Sequence, residues 1–219
     1  LFESQEEIDR SPIQFSEGNH SRLRPGDIKY RDLNGDGVID DYDKMPIGFC
    51  DIPEITYGFG GAIEWKGFDV SIFFQGTARV SLFEEGSTIV PFSSGYKNND
   101  GFLRGVMENR WTVDNPDPNA RYPRTIRPSD ALDNNNTKKS SFWVRNAAFL
   151  RLKNAEIGYT FPKRWMEKMA IQNLRLYVSG VNLLTWAPDV HLFDPDLGSG
   201  DGRKYPPTRV FNVGLNINF

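Results

Sequence analysis

The chain has 219 residues and a formal net charge of −3, from 26 Lys and Arg against 29 Asp and Glu. This balance argues against a nucleic-acid-binding protein, which usually carries a basic excess. No apolar run approaches the roughly 18 residues that a membrane-spanning helix needs, which excludes a helical membrane protein. A membrane β-barrel is not excluded, because its strands alternate polar and apolar residues. The single cysteine, Cys50, excludes an intrachain disulfide.

Residues 1–54 are polar and loop-like, and they carry the densest chemical motif of the chain at 32–43. Its oxygen-bearing residues fall at the ligand positions of an EF-hand-type loop, and Gly37 falls at the sharp turn of such a loop. The expected ligands are Asp32, Asn34, Asp36, the carbonyl of Val38, Asp40 and Asp43. The motif predicts a structural Ca²⁺ site. The alternative is an acidic loop of Asx turns that binds no metal.

The segments after residue 54 alternate apolar and polar residues with a period of two, which predicts β-strands with one apolar face each. The first two, 55–65 and 68–75, are joined by the tight turn Lys66-Gly67 and read as a hairpin. Residues 77–147 follow, rich in Asn, Asp, Pro and Ser, and are predicted to be one long loop.

Three further strands are predicted at 148–161, 173–186 and 209–219. The apolar phase shifts near Lys153-Asn154, which predicts a bulge there. Pro162 is expected to begin a short helical stretch, since proline is tolerated in a first turn. A second long loop is predicted at 187–208.

Two all-β architectures would use these one-sided strands. In an outer-membrane barrel the apolar faces contact lipid, and the small polar faces line the lumen. Short and long connections alternate along the chain, as they do in such barrels. Within that one membrane, Trp65 and Phe161 are expected near its inner, periplasmic interface and Trp186 near its outer interface. In the alternative, a soluble cell-surface β-sandwich with a Ca²⁺-stiffened loop binds glycan, and the apolar faces are buried against a second sheet.

Several motifs resemble the SusC-like (RagA-like) TonB-dependent outer-membrane receptors, and they occur in the family's order over most of the chain. They are GDIKY at 26–30 with DLNGDG at 32–37, NRWT at 109–112, NP at 115–116, YPR at 122–124, SFWVRNAAFLRLKNAEIGYTFP at 141–162, LYVSGVNL at 176–183, Asp194-Pro195, Tyr205-Pro206 and the terminal strand ending in Phe219.

The resemblance implies a fold class and a function. The chain is expected to be the C-terminal five-strand segment of a 22-stranded transmembrane antiparallel β-barrel with long extracellular loops. Residues 1–54 would be an extracellular loop segment and residues 55–219 the last strands of the barrel. The whole protein would import oligosaccharides or peptides across the outer membrane of a Gram-negative bacterium. Its partners would be a SusD-like surface lipoprotein and the TonB complex, the latter through an N-terminal part that this sequence lacks.

Other candidate sites are weaker. The loop aromatics could stack on sugar rings or simply pack within the loops; they are Phe92, Tyr96, Trp111, Tyr122, Trp143, His191, Phe193 and Tyr205. No catalytic motif appears, and an enzyme is not expected. Phe219 resembles the terminal aromatic signal that barrel-assembly machinery recognises, and it could equally anchor the last strand in the membrane interface.

Overall fold

The computed structural model describes residues 1–14, 22–90, 103–125, 135–166 and 171–219. Two loop aromatics, Phe92 and Tyr96, and the end of the predicted helical stretch, 167–170, lie outside the described residues. The regular elements are α1 (Gln5–Arg10), β1 (Ile13–Gln14), β2 (Val38–Ile39), β3 (Ile55–Trp65), β4 (Phe68–Ala78), β5 (Ser81–Phe83), α2 (Arg104–Glu108), β6 (Val144–Asn146), β7 (Phe149–Thr160), α3 (Lys163–Met166), β8 (Asn173–Trp186) and β9 (Val210–Asn218).

The five predicted long strands all form, and they make one antiparallel sheet in the order β3-β4-β7-β8-β9. Neighbours in the sheet are also successive long strands in the chain, so the sheet is a meander. The strand β4 runs to Ala78, three residues beyond the predicted end. Within the described residues, β3 and β9 pair on one side only, so the sheet is open at both edges. The all-β class is confirmed at this level.

The register places like residues beside each other across all five strands. One row is wholly apolar: Ile63, Val70, Ile157, Val178 and Val213. The row one residue away is small or polar: Ala62, Ser71, Glu156, Ser179 and Asn212. Because successive side chains on a strand point to opposite faces, the sheet has one apolar and one polar face.

The predicted bulge is confirmed. On β7, Leu152 pairs with Leu184 and Asn154 pairs with Val181, so Lys153 has no partner residue. The facing strand β8 accommodates the irregularity with Asn182, whose φ is 54°. Asparagine is one of the few residue types that adopt this left-handed conformation at low cost. The sequence pattern did not single out Asn182.

The chain divides into two compact units. Unit 1 comprises 1–48, 83–145 and 199–203, and unit 2 comprises 49–82, 146–198 and 204–219. Unit 1 has a small apolar cluster of Phe2, Ile8 and Leu23. Unit 2 contains the five-stranded sheet and a cluster of Val80, Leu82, Ala147 and Val190, against which Ala187 and Phe193 pack. The domain boundary predicted after residue 54 stays a prediction.

The predicted loop at 77–147 contains more order than its composition indicates. Its described part includes the short elements β5, α2 and β6. It also contributes buried apolar residues to unit 1, among them Ile89, Val106 and Trp143. Among the helices that the structure describes, none has the length and apolar character needed to cross a membrane.

Candidate functional site

The apolar face of the five-stranded sheet is exposed. Its most exposed large members include Ile55, Phe59, Ile63, Trp65, Phe68, Ile72, Ile157, Leu176, Val178, Leu184, Trp186, Phe211, Val213 and Leu215. Val213, near the middle of β9, is 76% exposed. Monomeric soluble proteins rarely expose contiguous apolar patches larger than a few hundred Å², so a face of this kind marks a surface that contacts another apolar phase or partner.

The sandwich alternative predicts that these strand faces are buried against protein. The structure instead leaves Phe68, Val70 and Ile72 on β4 exposed, and likewise Val213, Leu215 and Ile217 on β9. In the part of the chain that the structure describes, no second sheet covers them. The structure therefore disfavours the soluble β-sandwich.

The opposite face is polar, and glycines let large side chains lie flat on it. The ring of Tyr177 on β8 covers Gly214 on β9, and the ring of Phe73 on β4 covers Gly58 on β3. A Cβ at either glycine would clash with the ring above it. The small residues predicted to line a lumen therefore do share one face.

A charged network ties three strands together on this polar face. The guanidinium of Arg175 on β8 donates to Asp69 on β4, with an Nε–Oδ1 distance of 3.0 Å. It also donates to Glu156 on β7, with an Nη2–Oε1 distance of 2.6 Å. The network fixes the register of these strands, because a one-residue slip would move each partner to the other face.

Arg151 on β7 is the second charged anchor of unit 2, and it is almost completely buried. Its guanidinium donates to both carboxylate oxygens of Asp194 at 2.6 and 2.7 Å, to Asp196 at 2.6 Å and to the hydroxyl of Thr185 at 2.9 Å. Asp194 is the N-cap of a short 3₁₀ turn, Pro195–Leu197, and Asp196 lies within that turn. Arg151 therefore holds the long loop after β8 against the sheet. The family resemblance includes the Asp194-Pro195 motif, but it does not indicate that Arg151 is the partner of Asp194.

In unit 1 the family-like motifs converge on the buried carboxylate of Asp27. Arg124 contacts it at 2.7 and 2.9 Å, and Asn136 donates to it at 2.8 Å. The backbone N–H of Arg24 donates to it at 2.9 Å. Asn136 in turn accepts from the backbone N–H of Ile28 at 2.8 Å. The motifs at 26–30 and 122–124 are therefore parts of one buried polar network, which no spacing rule in the sequence predicts.

A second buried carboxylate, Glu84, lies among cationic groups in the same unit. Its Oε2 is 2.9 Å from Nε of Arg145, and its Oε1 is 3.4 Å from Nη2 of Arg121. Burial raises the pKa of Glu84, and the two arginines offset only part of that rise. The folded state therefore binds this proton more tightly than the unfolded chain does. The stabilisation from protonated Glu84 is present below the usual carboxyl pKa and is lost as the pH rises through the raised pKa of the folded state.

The predicted calcium ligands lie on one exposed loop whose carboxylates bind the loop's own backbone. Asp32 accepts from the N–H groups of Gly35 and Gly37 at 2.6 and 2.8 Å. Asp43 accepts from Leu33 and Asp40 at 2.7 and 2.9 Å. Bonds from Asp40 and Leu33 lower the pKa of Asp43, so this carboxylate stays ionised, as a cation ligand must.

The remaining predicted ligands follow the same pattern. Asn34 accepts from the N–H of Asp36 at 2.9 Å, Asp36 from that of Val38 at 2.8 Å, and Asp40 from that of Tyr42 at 2.8 Å. Within the described ranges, no group of three or more His, Cys, Asp or Glu side chains is gathered as a metal site. A carboxylate has about four lone-pair positions, so these bonds leave acceptor capacity. Calcium binding by the loop stays a prediction.

We predict that the full-length protein retains one Ca²⁺ at this loop and that Asp32→Ala combined with Asp36→Ala abolishes retention. The two carboxylates supply the first and third ligands along the loop, and a hard cation is not held without them. Bound calcium after dialysis, determined by elemental analysis, is the measurement. Asp41→Ala is the matched control, because this neighbouring aspartate pairs with Lys44 and occupies no ligand position. A wild-type protein that holds no calcium at millimolar supply contradicts the prediction.

Three of the loop aromatics pack within unit 1. Trp111, Tyr122 and Trp143 are buried. The ring of Trp111 covers Gly26, whose φ of 90° is a conformation that suits glycine. By contrast, Tyr205 and Phe219 are exposed. Phe219 follows the last residue of β9, next to the apolar-face positions Leu215 and Ile217 in the alternation.

Three known proteins with similar sequences are all TonB-dependent receptors. TonB-dependent receptor P26 of Formosa agariphila is 30% identical to the chain over 232 aligned positions, which cover the whole chain and 21% of that protein. TonB-dependent receptor P3 of the same organism is 31% identical over 208 positions, 89% of the chain and 19% of that protein. TonB-dependent receptor SusC of Bacteroides thetaiotaomicron is 26% identical over 205 positions, covering 90% of the chain and 18% of that protein.

The chain belongs to the SusC-like TonB-dependent receptors. It spans about a fifth of the length of the curated relatives that it matches. The search against models of protein families gives no match. The predicted resemblance is therefore confirmed by relatives that match along nearly the whole chain.

Solved structures agree at the level of the fold. The RagAB peptide importer in its open-open state has a TM-score of 0.62 and 22% identity, over 87% of the chain and 20% of the RagAB chain. A second structure of the RagAB peptide transporter has a TM-score of 0.61 and 23% identity, over 89% of the chain and 20% of that chain. The segment therefore folds as the corresponding part of these much larger chains does.

Proposed function

We propose that this chain is the C-terminal β-barrel part of a TonB-dependent transporter in the outer membrane of a Gram-negative bacterium. The whole protein, on this proposal, imports oligosaccharides or peptides in partnership with a SusD-like surface lipoprotein, with energy supplied through the TonB complex. The names of the relatives support the receptor class, and RagAB, which shares the fold, is a peptide importer. The proposed mechanism is transport and involves no bond chemistry.

The observation that carries the proposal is the two-faced sheet. An exposed apolar face opposite a polar face is what a barrel wall requires, since one side contacts lipid and the other lines an aqueous interior. The unpaired edges of β3 and β9 fit the same proposal. In hydrocarbon every backbone N–H and C=O must be paired, so further strands of the same barrel would complete these edges. Five strands are too few to close around a lumen, and a closed barrel of 22 strands is part of the proposal.

A pair of neighbouring substitutions in the full-length protein tests the membrane placement. Val213→Arg puts a charge on the apolar face near the middle of β9, where a lipid-facing arginine costs about 2–4 kcal/mol. Asn212→Arg puts the same charge on the polar face one residue away. We expect Val213→Arg to reduce the amount of folded protein in purified outer membranes several-fold, and Asn212→Arg to leave it near wild type.

Quantitative immunoblotting of outer-membrane fractions, with heat-modifiability to report folding, measures both variants. Equal levels for the two would show that the two faces meet similar surroundings, and the proposal would fail. We also propose that Phe219 contributes to assembly of the last strand at the barrel seam. Its exposure and its apolar-face position in the alternation support that role.

A further inference from the structure

One end of the apolar face carries a connected cluster of aromatic rings. The rings of Phe68 and Tyr159 are 4.6 Å apart, those of Tyr159 and Phe161 are 5.1 Å apart, and those of Phe161 and Trp165 are 6.1 Å apart. Trp65 lies beside Phe68 in the register of β3 and β4. We call these five residues the aromatic cluster. Trp65 and Trp165 are 65% and 53% exposed, so the cluster is not a buried core.

Backbone hydrogen bonds hold the parts of the aromatic cluster at the same end of the sheet. The N–H of Thr160, at the end of β7, donates to the carbonyl of Gly67 in the β3–β4 turn at 2.7 Å. The N–H of Phe161 donates to the carbonyl of Leu174 at 2.9 Å. The β3–β4 turn and the segment that leads into α3 are thus held in place by backbone hydrogen bonds at the strand ends.

Three basic residues belong to the same two connections. The Lys66 ammonium lies 4.7 Å from the ring centroid of Trp65, which places this charge on the side of the apolar face. Lys163 and Arg164 open α3, directly after Phe161-Pro162, and are exposed. Among the described residues, none of the three pairs with a carboxylate.

The acidic residues that the structure describes in β3 and β4 at this end lie on the other face. Glu64 and Asp69 pair with each other in the register, one residue away from Trp65 and Phe68, and therefore point to the polar side. Asp69 is neutralised by Arg175 there. In the described part of the chain, this end therefore combines aromatic rings and the Lys66 charge on the apolar side with the basic residues Lys163 and Arg164 in the adjoining connection.

We propose that the aromatic cluster, with Lys66, Lys163 and Arg164, is a binding site for the phosphate-bearing headgroups of anionic phospholipids. This proposal rests on the proposed membrane placement of the sheet. Indole and phenol rings settle at the level where acyl chains meet headgroups. Ammonium and guanidinium groups beside them reach the phosphate layer while their stems stay on apolar surface. An anionic lipid is favoured over a zwitterionic one because, within the described ranges, none of these three basic groups is paired with a carboxylate.

The test uses the full-length receptor in nanodiscs that contain phosphatidylglycerol and phosphatidylcholine in equal amounts. Lipids retained after gentle release are counted by native mass spectrometry. We expect wild type to retain phosphatidylglycerol preferentially and to lose the preference at high ionic strength, because exposed charges are screened. Combined Lys66→Gln, Lys163→Gln and Arg164→Gln should reduce the preference by about a hundredfold at low ionic strength, since each basic residue near an anionic lipid surface contributes roughly fivefold.

Arg10→Gln, Arg31→Gln and Arg104→Gln, combined, form the matched control, since they remove the same charge from exposed positions in unit 1. Equal retention of both lipids by wild type would overturn the headgroup site, and so would an unchanged preference in the triple variant. Displacement of the retained lipid by inorganic phosphate would mean a free-anion site and would also overturn it. Failure of wild type to insert into membranes would instead refute the proposed function, which the Val213 and Asn212 pair reports separately.

Discussion

Replacing Arg151 with methionine in the full-length receptor is expected to release the loop after β8 and to lower stability by about 3–5 kcal/mol. Arg151 is 1% exposed and is the shared partner of Asp194 and Asp196. Methionine fills much of the volume but leaves two carboxylates without their cation. Removing one member of a buried ion pair is far costlier than removing both, because the remaining charge stays desolvated. Here that charge is Asp194, whose side chain is 18% exposed, whereas Asp196 is 41% exposed and can be hydrated.

Two readouts test this expectation. Limited proteolysis of the purified receptor should cut the variant within 187–208 much faster than wild type, and its thermal unfolding in detergent should begin at lower temperature. Lys153→Met is the matched control, because this bulge residue lies on the same strand and has no ion pair in the described part of the chain. Adding Asp194→Asn and Asp196→Asn to Arg151→Met should recover part of the loss. A fully resistant loop in Arg151→Met would show that the anchor is dispensable.

The second large effect is expected at Asp27, where substitution by alanine should unfold the loop unit around it. Three donors converge on this carboxylate, from Arg24, Arg124 and Asn136, and Nε of Arg124 adds an ion-pair contact at 2.7 Å. Alanine leaves a largely buried guanidinium and the amide of Asn136 without their acceptor. The expected cost is again about 3–5 kcal/mol, since a buried charge loses its partner. Asp27→Asn keeps the shape and one acceptor, so its loss should be smaller.

Protease cleavage in unit 1, mapped by mass spectrometry, is the appropriate measurement. Asp9→Ala serves as the control, because Asp9 makes an exposed helix contact with Gln5 instead of a buried pair. The described partners of Asp27 all lie in unit 1, so the β-sheet signal in circular dichroism should persist in the Asp27→Ala variant. Protection of unit 1 equal to that of wild type would argue against a central role for this network.

The sheet was predictable from the sequence because its information is local. Alternation with a period of two marks strands such as Ile55–Trp65 and Val210–Asn218 without knowledge of their neighbours. A shift in that alternation marked the bulge at Lys153. Two features escaped prediction because they depend on neighbouring strands. Asn182 compensates the bulge from another strand, and the extra residues of β4 form by pairing with β3 and, except for Ala78, with β7.

The buried polar networks were beyond reach of the sequence because their members are far apart along the chain. Asp27 meets Asn136 across 109 positions, and Arg151 meets Asp194 across 43. Charged residues are common in loops, and composition does not separate the few that are buried and paired from those that are solvated. The motifs at 26–30 and 122–124 were recognisable in the sequence, but only the folded structure shows that Asp27 of the first contacts Arg124 of the second.

The sequence by itself determined the strands, the sidedness of the sheet and the receptor family, because alternation and motif order survive without long-range information. The tertiary structure decided which face of each strand stays uncovered and which charges are buried. These outcomes depend on register and on distant pairings, where the desolvation of Arg151 and Asp27 must be balanced by partners that only the folded chain supplies.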